Sequence, residues 1–216
     1  MRRAITLLLI AAGLALPASC PAYDDAPVAR PEIKSGDRWT YHRVDARTGT
    51  VLYEFETRVA LVGGDSIRTV SVLAGRKQES ESFWTLEWNS LATSYGVFSP
   101  HSGMFRFPLA AGATYRSGYQ LQLPKSGGAG RIDFEHVVKV VGWEYVVVPA
   151  GAFRALKVEM AGQFSRRDYA SSGSTRTVAW YVPAVKRWVM LAYENPDSRS
   201  SAINQWRDEL LEFKVE

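Results

Sequence analysis

The sequence predicts an all-β domain, an antiparallel β-sandwich or partial (half) barrel of about ten to twelve strands. Three observations carry that prediction. Apolar and polar residues alternate with period two along much of the chain after residue 37, as an antiparallel sheet with one buried and one wet face requires. Gly, Pro, Asn, Asp and Ser interrupt the alternation at the spacing of short strands. Apart from residues 203–212, apolar residues nowhere recur convincingly at helical spacing.

The chain opens differently. Arg2 and Arg3 precede an unbroken apolar run from Ala4 to Leu16, followed by Pro17, Ala18 and Ser19. That order is the layout of a secretory signal peptide over residues 1–19, and the run is shorter than the roughly 20 residues a membrane-spanning helix needs. Residues 20–36, with Asp24, Asp25, Pro27 and Pro31, read as an extended tether. Residues 37–216 form the single domain.

Within it, Val51, Tyr53, Phe55, Val59 and Leu61 are expected to share one strand face, with Glu54, Glu56 and Arg58 on the other. Gly63-Gly64-Asp65 then reads as a tight hairpin turn. Tyr119, Leu121 and Leu123 alternate with glutamines, and the Gly-rich Ser126–Gly130 reads as the loop after them. Ile132, Phe134, Val138 and Val140 alternate with charged residues. Pro149-Ala150-Gly151 places glycine where a turn wants a left-handed residue. Leu156, Val158 and Met160 make the next strand, Ser171–Ser174 a polar loop, and Val178, Trp180 and Val182 a strand stopped by Pro183. Residues 203–212 fit a helix or a strand, and Leu211, Phe213 and Val215 favour a strand for the C-terminal half.

Charge excludes some partners. Without Arg2 and Arg3 the chain holds 24 basic and 22 acidic residues, a net of +2. That is too weak a field to argue for nucleic acid. Cys20 is the one cysteine, so no internal disulfide supports the fold.

Catalytic signatures are missing. The sequence holds no Gly-x-Ser-x-Gly elbow, no His-Glu-x-x-His, no phosphate-binding loop and no paired Cys-x-x-Cys, so neither cofactor nor metal is expected. The three histidines, His42, His101 and His136, are far apart in sequence. His136 lies in line with Phe134 and Val138 on an apolar face, where it reads as a hydrogen-bonded core residue or as a pocket residue. His101 precedes Ser102 in a turn-like segment, and adjacency alone does not set a base against a hydroxyl. Trp84 and Trp88, four apart, are expected on one strand face, as core filler or as a platform for a sugar ring.

Three stretches together resemble a family of exported bacterial β-proteins known as domain of unknown function 3108. They are Gly36-Asp37-Arg38-Trp39-Thr40-Tyr41, Val147-Val148-Pro149-Ala150-Gly151-Ala152-Phe153, and Trp180-Tyr181-Val182-Pro183 with Arg187-Trp188-Val189. The resemblance covers about half the chain, its motifs are structural, and it implies an envelope location and a curved antiparallel sheet. It implies no active-site residue.

The expectation is thus an exported envelope protein, more a binding module than an enzyme, with a lipid, a glycan or an envelope protein as partner. The alternative is an envelope hydrolase using His136 or His101 with nearby acids. Cys20 stands where a lipoprotein signal would place its acylated cysteine: Ala18 and Ser19 fit such a box, and Pro17 departs from it. Lipidation there would anchor a periplasmic protein to the outer membrane, its membrane contact being that anchor alone.

Overall fold

A computed structural model describes residues 26–124, 130–166, 171–195 and 205–216. Among them are twelve strands. They are β1 (Arg38–Asp45), β2 (Val51–Val62), β3 (Ser66–Leu73), β4 (Glu79–Thr85), β5 (Ser90–Thr93), β6 (Gly96–Ser99), β7 (Thr114–Gln122), β8 (Arg131–Val148), β9 (Gly151–Arg166), β10 (Ser171–Val182), β11 (Arg187–Glu194) and β12 (Gln205–Lys214). Each strand pairs antiparallel with the next, and β12 returns to β1.

The all-β antiparallel expectation holds, but the sheet is a closed barrel rather than a sandwich or a partial barrel. Closure comes from β1, which uses both edges. Arg38 is the ladder partner of Arg58 on one side and of Lys214 on the other. An open sheet would leave two rows of unpaired backbone groups, and closure removes both.

The alternation read from sequence sorts residues to the two sides of this wall. Val138, Val140, Leu156, Val158 and Met160 point inward and are buried. Outward residues carry ion pairs such as Arg58–Glu79 at 3.2 Å, Arg68–Glu81 at 3.0 Å and Arg176–Glu159 at 2.9 Å. Among the described residues the outer face thus carries charge pairs, and the inner face is mostly apolar. Leu61 departs from expectation. A bulge between Val59 and Leu61 flips it outward, 55% exposed, and Val62 takes the inward place.

Several local readings are corrected. Ser171–Ser174 are not a loop but the first residues of β10, paired to Gln163–Arg166 on β9. Trp84 and Trp88 do not share a strand. Trp84 is in β4, whereas Trp88 sits in the turn before β5 with a positive φ of 64°, which swings its ring into the core. Residues 205–214 are strand, as the C-terminal alternation indicated. The described part of the tether is docked: Val28 pairs with Leu109 through two backbone hydrogen bonds of 2.8 Å, and Ile33 joins the core. Cys20 and most of the Ser126–Gly130 loop lie outside the described residues.

One barrel end is plugged. Strand β1 starts there, and the 100–113 segment folds in beneath it, burying Met104, Phe105 and Leu109. Asn89 clamps that segment: its side chain donates to the Phe105 carbonyl and accepts from the Phe105 amide, both at 2.8 Å. At this end the β8–β9 hairpin runs past the barrel, after a bulge between Val140 and Gly142. The Ala150 amide donates to the Leu210 carbonyl at 2.9 Å, which leans the hairpin on β12.

Gly151 has φ +133° at the hairpin tip, and an added Cβ would meet Phe153 at an ordinary 3.9 Å. Strain would therefore come from the backbone and not from crowding. Gly151→Ala is expected to cost about 1 kcal/mol, read as a lower melting temperature. An unchanged melting temperature would refute the strain.

Candidate functional site

The interior at the other end, as the described residues line it, is the candidate site. Ladder partners share a face, so the register places the wall residues directly. Tyr119, Phe134 and Phe164 are successive partners across β7, β8 and β9. The Tyr119 and Phe134 rings stack at 4.7 Å, and Phe98 lies 5.7 Å from Tyr119. Across the barrel, Tyr193 and Trp206 are partners on β11 and β12 and stack at 5.6 Å. Tyr53 enters from β2, 39% exposed despite its inward position. Phe98, Phe134, Phe164, Tyr193 and Trp206 are likewise only partly buried. Together these rings make an inward aromatic wall that is only partly buried, the kind of lining that ligand pockets use.

His136 lies one step deeper, with the Tyr119 and Phe134 rings 5.7 and 5.5 Å away. It is 4% exposed. Its Nε2 is 2.8 Å from the Thr175 hydroxyl, and Nδ1 has no hydrogen-bond partner. Burial pushes its pKa down to about 4, so the imidazole is neutral at ordinary pH. Gly162 lies beside it between the two strands: an added Cβ there would come within 2.0 Å of the Glu135 carbonyl oxygen and 2.7 Å of the His136 Cα. The absence of a side chain at 162 is what lets the His136 backbone sit at that spacing.

Charges occupy the next inward positions. Arg43 grips Asp208 with two parallel bonds, Nε to Oδ1 at 2.7 Å and Nη2 to Oδ2 at 2.8 Å. Arg43 also lies 3.7 Å over the Trp206 ring. Burial raises the Asp208 pKa, with the Arg43 bond opposing. Deeper still, Arg187 is 4% exposed among the rings of Trp39, Tyr41, Trp84, Trp88 and Trp188, at 4.2–5.8 Å. Burial lowers its pKa, opposed by the charges of Tyr41 and Asp208.

The predicted residues are thus placed differently. His136 faces the barrel interior. Trp84 and Trp88 touch each other at 5.9 Å inside the plugged end, Trp88 being 2% exposed, so they offer no open platform for a sugar. His101 lies apart from His136, in a groove of about 310 Å³ with Glu87, Arg106, Arg116 and Ser117. Its Nδ1 has no partner, while the Ser102 hydroxyl accepts from the Ser90 amide at 2.9 Å. Among the described residues no three His, Cys, Asp or Glu side chains gather as a metal site would need.

Sequence reading missed Arg43, Asp208 and Arg187. For two of them a signal was present. Arg43 continues the inward series Trp39, Tyr41, and Asp208 lies between inward Trp206 and Leu210. A charge on an apolar face needs a partner in the folded state. Arg187 had no such pattern.

Fold and interior together define a class: a closed up-and-down β-barrel, polar outside and aromatic within. The comparisons with known proteins bear on fold. No family model and no curated protein matches the chain, so the resemblance to domain of unknown function 3108 is not upheld. A solved structure of a candidate lipoprotein from Parabacteroides distasonis is similar, at 12% identity and a TM-score of 0.53, covering 87% of this chain and 99% of that one. A candidate exported protein with a YmcC-like fold from Bacteroides fragilis aligns at 15% identity and a TM-score of 0.45, over 87% of this chain and 99% of its own.

Proposed function

We propose that this is an exported, non-catalytic binding protein that holds a small apolar-tailed molecule in its barrel. One observation carries the reading: the inward aromatic wall of Tyr53, Phe98, Phe134, Phe164, Tyr193 and Trp206 remains partly open to solvent. Of the three partner classes expected from sequence, a lipid-like molecule suits such a wall best, because ring faces bury apolar chains at about 25 cal/mol per Å². Glycan binding draws less support, because Trp88 is buried and the half-buried Trp84 packs against it. The hydrolase alternative has less support, since no acid orients the His136 ring and Thr175 is itself 5% exposed.

Binding of the uncharged probe N-phenyl-1-naphthylamine tests this. The mature protein is expected to bind it saturably, and Tyr53→Lys is expected to weaken binding at least tenfold. Tyr145→Lys, on a ring 70% exposed on the outer hairpin, should leave binding unchanged. Absence of saturable binding, or equal loss in both variants, would overturn the proposal.

Cys20 belongs to the same reading as the acylated first residue of the mature chain. It stands four residues after the apolar run that ends at Leu16, and the Parabacteroides protein of similar fold is described as a candidate lipoprotein. Anchoring at the periplasmic face of the outer membrane would set the barrel beside a source of lipids. Mass spectrometry of the mature N-terminus should show an acylated Cys20; an unmodified chain would remove the anchor.

A further inference from the structure

Among the described residues the buried Arg187 forms no ion pair, and the Asp208 charge reaches it without a hydrogen bond. Its Nε and Nη1 have no hydrogen-bond partner. The buried carboxylates are engaged elsewhere. Asp208 gives both oxygens to Arg43. Asp37 binds Lys186 at 3.2 Å and the Lys34 and Glu216 amides at 3.0 Å. Asp45 accepts from the Arg47 and Thr48 amides.

The setting is built, not incidental. Three cage rings hold the chain on either side of Arg187. Trp39 Nε1 donates to the Val185 carbonyl at 2.9 Å, Trp88 Nε1 to Lys186 at 2.8 Å, and Tyr41 Oη to Trp188 at 2.8 Å. Five ring faces offset part of the cost of burying the charge, yet they accept no strong hydrogen bond. A guanidinium in a dry interior wants an oxyanion, and its planar fork fits a carboxylate or phosphate. Tyr181, one ring removed through Phe105, also has a buried hydroxyl without a partner.

Resting on the lumen reading above, we propose that the ligand is an acid, a carboxylate or phosphate on an apolar chain, bound head-inward with its oxyanion on Arg187. Along β1 the inward positions run Asp45, Arg43, Tyr41, Trp39 toward the plugged end, and Arg187 lies 5.8 Å from the Tyr41 ring and 5.1 Å from the Trp39 ring. From Asp45 to Tyr41 is roughly 13 Å of strand, the reach of a medium-length acyl chain. The tail would lie along Trp206, Tyr193 and Tyr53.

Competition against N-phenyl-1-naphthylamine on the mature protein tests the head group. Dodecanoate or dodecyl phosphate is expected to displace the probe at least tenfold more tightly than dodecanol. Acetate and inorganic phosphate should not displace it. Arg187→Gln should bring the acids to the level of dodecanol, read as the ratio of acid to alcohol affinity on the variant itself, and Arg187→Lys should keep part of the preference. If acid and alcohol compete equally in the wild-type protein, the acid proposal fails while the lumen reading stands. If the probe does not bind, both fail. Should Arg187→Gln not fold by circular dichroism, the wild-type comparison of acid with alcohol decides alone.

Discussion

Asp208→Ala is expected to destabilise the barrel by about 3–5 kcal/mol, the usual cost of breaking a buried ion pair from one side. The Arg43 and Asp208 side chains are 14% and 6% exposed and joined by two charge-assisted bonds. Removing the carboxylate leaves the Arg43 guanidinium inside the barrel facing rings, with Arg187 nearby and no acid bonded to either. Urea unfolding followed by tryptophan fluorescence measures the loss. The double variant Arg43→Met with Asp208→Leu should recover most of it, because similar-volume apolar residues replace such pairs with little penalty. Arg58→Ala provides the contrast. Its bridge to Glu79 joins side chains 45% and 52% exposed, and surface pairs contribute at most about 1 kcal/mol. A loss under about 1 kcal/mol for Asp208→Ala would show that Arg43 finds water or another acceptor.

The second large effect is on acid stability. Burial holds His136 in the folded protein at a pKa of about 4, against the ordinary 6.5 of a free imidazole. Between those values the unfolded chain binds a proton that the folded one refuses. Stability from this group is therefore full above about pH 6.5 and falls as pH drops toward about 4. The span of about 2.5 units corresponds to about 3 kcal/mol at most. Asp208 works the other way, since its raised pKa favours the folded state in acid. The difference between wild type and His136→Gln isolates the histidine. Urea midpoints measured from pH 7.5 to 4.5 should converge as pH falls, wild type losing stability more steeply than the variant. Parallel curves would mean that the imidazole titrates normally and that solvent reaches it.

Local chemistry made much of the fold legible. The alternation of Leu156, Val158 and Met160, or of Ile132, Phe134 and Val138, depends on nearest neighbours along one strand, and strand geometry converts it directly into an inner and an outer face. Pro149-Ala150-Gly151 and Gly63-Gly64-Asp65 are equally local, and both are turns in the structure. Where a single extra residue shifts the ladder, the same reasoning breaks down. The bulge near Ala60 that exposes Leu61 has no sequence mark of its own, because a bulge depends on what the partner strand does. Trp88 misled for a related reason: four-residue spacing is informative only if the strand continues, and it ends at Thr85.

By itself the sequence determined the class of fold, an antiparallel β-domain. That property is written in short-range order, in alternation along each strand and in the residues of the turns. Tertiary structure alone decided that the sheet closes, because closure is a pairing between β1 and β12, residues 38–45 with residues 206–214, and no local pattern encodes a partner so distant. It also decided the site. His136 meets Thr175 across 39 positions, Arg43 meets Asp208 across 165, and Arg187 acquires its cage from rings at positions 39, 41, 84, 88 and 188. Charge becomes informative only when burial removes water from around it, and burial belongs to the closed barrel as a whole.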